Sequence, residues 1–172
     1  NFMDGIDGLV ASCMSIIFLT VCIKGGQNYL PILGTLIGFL ILNWNPAKVF
    51  MGDSGSTFLG ALYLSIIFKA NFFIESLKYF LLLTPLIADS VSTLFRRLVA
   101  KQNIFVAHKK HLYQRLFQSG LSHKKVSLLY AGMTLAMCLI YLVADLKSLV
   151  LMAIILLILG FWLDKNVAYQ FD

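Results

Sequence analysis

Six apolar stretches leave this chain few ways to fold. They run roughly over residues 6–23, 29–42, 57–70, 77–95, 126–144 and 148–163, with short polar gaps between them. A helix that crosses the hydrocarbon core of a bilayer needs about 20 mostly apolar residues. Four of the stretches approach that length; 29–42 and 57–70 are shorter and would have to tilt or borrow flanking residues. Hydrophobic residues make up 59% of the chain and charged residues only 13%, whereas soluble domains carry about 25% charged residues. That composition excludes a water-soluble globule of 172 residues. In lipid every backbone N–H and C=O must find its partner internally, which favours helices. The expected fold is therefore all-α: a polytopic transmembrane helical bundle of about six helices, one integral membrane domain over residues 1–172, in contact with membrane lipids. Gly34 and Gly38 form a small-xxx-small pair suited to close helix packing.

The net charge of +6 does not point to nucleic acid, because the charge is clustered. Eight of the 14 Lys and Arg residues lie between Arg96 and Lys125. Six crossings put the gaps at 24–28, 71–76 and 145–147 on one side, and 43–56, 96–125 and both termini on the other. Cytoplasmic loops of membrane proteins carry the excess of Lys and Arg. The loops 43–56 and 96–125 are thus expected in the cytoplasm, in a bacterial inner membrane. The partners this charge suits are anionic headgroups and a phosphorylated substrate. Cys13, Cys22 and Cys138 all fall in apolar runs and form no CxxC pair, which is the pattern of small buried hydrophobes.

Four polar constellations interrupt the apolar pattern. The first, NFMDGIDGL at residues 1–9, places Asp4 and Asp7 three apart, on one helix face, at the mouth of an apolar span. Carboxylates that close to hydrocarbon are costly and usually functional. They can order a magnesium-bound pyrophosphate or accept hydrogen bonds from a nucleoside; an N-capping Asp with a solvated neighbour fits the same pattern. The second, NWNPAKVFMGDSGST at residues 43–57, combines Gly52 and Gly55 with Asp53, Lys48 and Phe50. Its glycines allow close backbone approach and a phosphate cradle. Asp53 offers a hard oxygen for magnesium, Lys48 a counter-charge, and Phe50 a ring to stack on a base. The GDSG string also surrounds the nucleophile of trypsin-like proteases, but that chemistry needs a soluble β-barrel with His and Asp partners.

The third is Asp89, inside the stretch 77–95, with Arg96 two turns further along the same face. An ionisable residue at that depth serves either function or an internal ion pair or helix-packing hydrogen bond. The fourth is HKKHLYQR at residues 108–115. His108 and His111 point together if the segment is helical, and can donate to phosphate oxygens or move a proton; a solvated basic loop is the alternative. Zinc would need further ligands, and no cysteine is near. His123 stands apart and is expected at the surface.

At these residues the chain resembles the polyprenyl-phosphate N-acetylhexosamine-1-phosphate transferase family. That family includes the phospho-MurNAc-pentapeptide transferase of peptidoglycan synthesis and the enzymes that start O-antigen and teichoic-acid assembly. Residues 1–9 are similar to the end of the family's DGxDGL motif. PAKVFMGDSGSTFLG at residues 46–60 is similar to its most recognisable block, and residues 108–115 sit where the family carries its histidine motif. The variant here, with His108 and His111 flanking two lysines, is closer to the O-antigen-initiating enzymes than to the peptidoglycan enzyme. The resemblance covers essentially the whole chain, but the family's upstream Asp-Asp motif is absent. The chain opens at Asn1, inside a motif. It is therefore expected to be the C-terminal part of a longer transferase, and inactive alone.

The resemblance implies roles residue by residue. Asp53 would be the ligand of magnesium, with manganese as the substitute. Asp4, and Asn1 with it, would lie beside the phosphates. Asp7, Phe50 and Gly52 would form the uridine pocket, with Asn43 lining the same cleft. His108 and His111 would touch phosphate or sugar, with Lys48 and Arg115 as weaker contacts. The implied reaction transfers an N-acetylhexosamine 1-phosphate from a UDP-sugar to undecaprenyl phosphate and releases UMP, initiating an O-antigen-like polysaccharide. UDP-MurNAc-pentapeptide is the alternative donor, and relatives leave a homodimer open. Two other classes compete: a membrane transporter built around Asp89, and a non-catalytic fragment. A transporter should hold its acids near the bilayer midplane; Asp4, Asp7 and Asp53 sit at one face.

Overall fold

Helix boundaries follow local chemistry. Asp145 starts one long helix by accepting the Ser148 N–H at 3.0 Å, and Ser122 starts another by accepting from the Lys125 N–H. The computed structural model describes residue 3 and residues 5–104, 106 and 108–171, and all its regular elements are helical. In order they are α1 (Leu9–Ile23), a 3₁₀ turn (Gln27–Tyr29), α2 (Leu30–Asn43), α3 (Gly52–Lys69), α4 (Phe73–Leu82), α5 (Thr84–Val99), α6 (Leu112–Gln118), α7 (His123–Val143) and α8 (Leu146–Asn166). Asn1, Phe2, Asp4, Phe105, Ala107 and Asp172 lie outside the described residues.

The central element is α1. Leu9, Cys13, Ile17 and Phe18 on it are fully buried, and it packs between α7 and α2. The outer face of α8 is the opposite case. Leu151, Ile158, Phe161 and Trp162 are exposed there, which suits lipid rather than water.

The expectation of about six spans is not reached. Among the described residues two helices, His123–Val143 and Leu146–Asn166, are alone long and apolar enough to cross a membrane. The bent pair α4 and α5 makes a third if it counts as one span. The reason is length: α1 has 15 residues, which at about 1.5 Å each covers less than the roughly 30 Å core. Polar GDSGS residues fill the first turns of α3. What stands is a helical membrane protein.

The apolar stretch 77–95, expected as one span, is broken at Leu83, where the axes of α4 and α5 diverge by 76°. Pro85 lacks the N–H that would continue α4 and fits the first turn of a new helix. The Thr84 hydroxyl donates to the Leu81 carbonyl at 2.6 Å, satisfying an acceptor freed by the break. The bend places Asp89, Arg96 and Arg97 on a separate rod, α5, packed against α8 and α7.

Candidate functional site

The loop that precedes α1 is the hub of one end of the bundle. Gly8 adopts φ +72°, a left-handed conformation, and a Cβ there would lie 2.8 Å from the Trp44 ring. Glycine is required on both counts. The Gly8 N–H donates to Asn43 Oδ1 at 3.0 Å, and Asn43 Nδ2 donates to the Val49 carbonyl at 2.8 Å. Buried Asn43 thus ties the first motif to the second through its own amide. Asp7 makes the same connection: its Oδ2 accepts from Asn45 Nδ2 at 2.8 Å and from the Ala47 N–H at 3.2 Å.

The hub also holds the start of α7. Ser127 of α7 donates to the Asp7 carbonyl at 2.7 Å, and His123 Nδ1 lies 3.2 Å from Asp7 Oδ1. His123 is therefore not a surface residue standing apart: it faces Asp7 with the Phe117 ring packed edge-on against it. Burial opposes ionisation of Asp7. Asn45, Ala47 and His123 outweigh that and hold its carboxyl below the usual aspartate value. Gly5 is the third contact, because a Cβ there would sit 2.6 Å from the Tyr113 hydroxyl of α6. Two glycines of DGIDGL therefore give way to aromatic rings, one from each of the other two motifs.

The histidine segment is set from behind by Asp89. This carboxylate is 4% exposed and accepts from the Leu112 N–H at 2.7 Å, the Tyr113 N–H at 3.1 Å, the Tyr130 hydroxyl at 2.6 Å and the Thr93 hydroxyl at 3.3 Å. His111 Nδ1 lies 3.6 Å from it. His111 is itself 3% exposed, its ring between those of His108 at 4.9 Å and Tyr113 at 5.7 Å. His108 is the more exposed of the two histidines. Its Nδ1 accepts the Lys110 N–H at 3.3 Å, which puts the ring proton of the neutral form on Nε2. Burial, with Arg97, His111 and Lys110 nearby, pulls its pKa down to about 4, so His108 is neutral at pH 7.

Arg115 is buried and spoken for. Its guanidinium pairs with Asp164 of α8, which Arg96 also contacts. It donates further to the carbonyls of Tyr169 at 2.8 Å and Lys110 at 3.2 Å. Phe171 lies under Arg96, Arg115 and Lys110, with ring centroids 5.2–5.5 Å away. Arg97, also buried, donates to the carbonyls of Asn103 and Val106 and pins the loop ahead of the histidines.

The remaining expected site residues stand open. Phe50 is 73% exposed, and Lys48 and Asp53 are exposed. Gly52 adopts φ +64° where the loop turns into α3. Met3 and Ser56, the chain neighbours of the first and second carboxylate motifs, line a common apolar cavity of about 420 Å³ between α1, α3 and α5. Asn1 and Asp4 lie outside the described residues. Among the described residues no three His, Cys, Asp or Glu side chains gather to hold a metal by themselves. Asp53 makes no side-chain hydrogen bond or ion pair among them, so it presents one free hard oxygen donor at a helix start. Magnesium is commonly held by one or two carboxylates together with substrate phosphates, and Asp53 fits that use.

The residues that sequence reasoning missed are the supporting ones. Asn45, His123, Ser127 and Tyr130 act on partners far away in the chain. The only signal for them was their polarity next to a motif or within an apolar run.

Comparison with known proteins decides the family. The chain is 35% identical over 138 residues to the probable undecaprenyl-phosphate N-acetylglucosaminyl 1-phosphate transferase of Bacillus subtilis (strain 168), a match covering 72% of this chain and 38% of that protein. The profile described as Glycosyl transferase family 4 matches residues 1–71. The chain belongs to glycosyl transferase family 4. Other family members include the decaprenyl-phosphate N-acetylglucosaminephosphotransferase of Mycobacterium tuberculosis (strain ATCC 25618 / H37Rv), 32% identical over 75% of this chain and 40% of that protein. The phospho-N-acetylmuramoyl-pentapeptide-transferase of Carboxydothermus hydrogenoformans is 35% identical over 81% of this chain and 45% of that protein. The chain thus spans 38–45% of the length of these relatives. No solved structure matches it. The family profile takes in the hub and the GDSG helix but ends ahead of Asp89 and the histidine segment.

Proposed function

We propose that this chain carries the nucleotide-sugar end of a membrane transferase. The reaction moves an N-acetylhexosamine 1-phosphate from a UDP-sugar to undecaprenyl phosphate on the cytoplasmic side of a bacterial membrane and begins a surface polysaccharide. The observation that carries this is the hub: Asp7 and Gly8 hydrogen-bond to the loop ahead of the GDSG helix, Asp7 also to Ser127 of α7, and Gly5 leaves room for the Tyr113 ring of the histidine segment. The names of the relatives support the same chemistry.

An oxygen of the lipid phosphate attacks the phosphorus that bears the sugar. The P–O bond to the uridine phosphate breaks, UMP leaves, and a lipid diphosphate sugar forms. Asp7 stays anionic and accepts hydrogen bonds at the nucleoside end. The exposed Phe50 ring stacks on uracil. Neutral His108 offers its Nε2–H to a phosphate oxygen without a charge that must be desolvated. Lys48 supplies the counter-charge from the loop. Magnesium, with manganese as substitute, would be held by Asp53 and the diphosphate and would offset the charge developing on the leaving group. The site lies where one substrate arrives from water and the other from lipid.

Trp44 lies against Gly8 and reports on the hub directly. In nanodiscs, with Trp162→Phe to silence the second indole, titration with UDP-GlcNAc, UDP-GalNAc and UDP-MurNAc-pentapeptide should give saturable quenching by one of them. Asp7→Asn should weaken it about tenfold or more, the value of a hydrogen bond to a charged group. Absence of saturable binding by all three UDP-sugars would sink the reading. Transfer of labelled GlcNAc 1-phosphate to undecaprenyl phosphate by the longer parent transferase tests the finer claim, and retained transfer in its Asp53→Asn variant would remove the metal role.

A further inference from the structure

Asp89 lies beneath the histidine segment, on a helix that the family profile does not reach. It is a buried carboxylate inside an apolar bundle, a costly arrangement unless every lone pair is used. Its four donors come from three elements: Thr93 on its own helix, the Leu112 and Tyr113 amides that open α6, and Tyr130 on α7. The seven-residue α6 cannot hold itself in place, because isolated helices that short do not form in water. Its first two amides are satisfied by a charge delivered from another helix. Immediately ahead of those amides is His111, 3.6 Å from the same carboxylate, and against its ring lies His108. On its other side Tyr113 reaches the hub at Gly5.

We infer that Asp89 is a positioning residue: it locks the start of α6 and the His111 ring, and through them sets the angle at which His108 meets the phosphate. The alternative, an internal tie that merely holds α5 to α7, would need only the Tyr130 bond. It would not explain why two consecutive amides and an imidazole converge on one carboxylate. The role of His108 toward phosphate rests on the transferase reading; the locking of α6 does not.

The test compares Asp89→Asn and Tyr130→Phe with the unmodified chain in nanodiscs, using helical content by circular dichroism as the folding control. Hydrogen exchange at the Leu112 and Tyr113 amides should accelerate roughly 10-fold to 100-fold in Asp89→Asn, the worth of a charge-assisted hydrogen bond expressed as an opening constant. Exchange along α1 should stay unchanged. Tyr130→Phe keeps the carboxylate and should show a smaller local change. If Asp89→Asn lost its fold, the same local pattern in Tyr130→Phe would carry the test, and uniform acceleration there would overturn the inference. UDP-GlcNAc affinity should fall about 10-fold to 100-fold in Asp89→Asn, the range seen when a carboxylate that orients a histidine is removed. That loss should vanish in a His108→Ala background, since an orienting effect needs the group it orients. Equal losses in both backgrounds, or unchanged exchange at Leu112 and Tyr113, would overturn the inference. If the unmodified chain bound no UDP-sugar, the transferase reading would fall, while the exchange result would still decide whether Asp89 locks α6.

Discussion

Replacing Gly5 by alanine tests the contact that joins the hub to the histidine segment. The added Cβ would stand 2.6 Å from the Tyr113 hydroxyl oxygen and 3.2 and 3.3 Å from the ring carbons Cε2 and Cζ. The first distance is impossible without movement; the others need the ring to yield a few tenths of an ångström. Tyr113 has little room to yield. It is 1% exposed and stacked on His111. Forcing a group into a packed core of this kind costs about 1–3 kcal/mol. In a Tyr113→Phe background the nearest atom is gone, so the cost of Gly5→Ala should fall below about 1 kcal/mol. The coupling between the two positions should therefore be roughly 1–2 kcal/mol, within the range for residues in contact. Guanidinium unfolding in detergent micelles of all four proteins of the cycle measures it. The cycle removes whatever Tyr113→Phe costs by itself. An equal loss from Gly5→Ala in both backgrounds would mean the ring is not what Gly5 makes room for.

Three further outcomes are expected. Asp164→Asn should destabilise by about 3–5 kcal/mol, because it leaves the buried Arg115 guanidinium without its counter-charge; the half-exposed Arg96 should contribute little. A loss under 1 kcal/mol in the same unfolding assay would show the cluster to be solvated. Asp7 has its carboxyl depressed in the fold, so the stability it contributes is complete above 3.8, the usual aspartate value, and is lost as pH falls through the lower folded value. Asp7→Asn should flatten the acid limb of stability against pH, and an unchanged limb would contradict the hydrogen bonds assigned to it. His108, shifted from 6.5 down to about 4, withholds a proton that the unfolded chain takes up. Its contribution is full above pH 6.5 and declines toward pH 4. If a diphosphate sits against it, UDP-sugar binding at pH 5 should draw in a proton, seen as a buffer-dependent heat in calorimetry. A buffer-independent heat would place the phosphates elsewhere.

What was legible in the sequence was the family and the motifs that mark it, and what was not was the packing that supports them. DGIDGL, PAKVFMGDSGS and HKKH could be read because each packs several chemically distinctive residues into a few positions. The need for Gly8 at φ +72° could be felt as a glycine in a motif, but not that Trp44 fills the space beside it. The break between α4 and α5 was readable in principle from Thr84-Pro85, yet apolar residues on both sides made 77–95 look continuous. Hydropathy cannot see a helix end when lipid-compatible residues flank it. Three contacts escaped because they link positions far apart: His123 to Asp7, separated by 116 residues, Ser127 to Asp7 by 120, and Arg96 to Asp164 by 68. Such pairs are chosen by the packing of α1 on α7 and of α5 on α8, which no local pattern encodes. Asp89 is the instructive middle case. Its depth in an apolar run marked it as functional, an ion pair or a helix-packing hydrogen bond, and the fold shows the last of these, with the Tyr130 hydroxyl and two backbone amides donating to it from other helices. A carboxylate in that use needs no charged neighbour within its own stretch of sequence. Sequence could therefore show that Asp89 must be satisfied, but only the way α5, α6 and α7 pack shows by what.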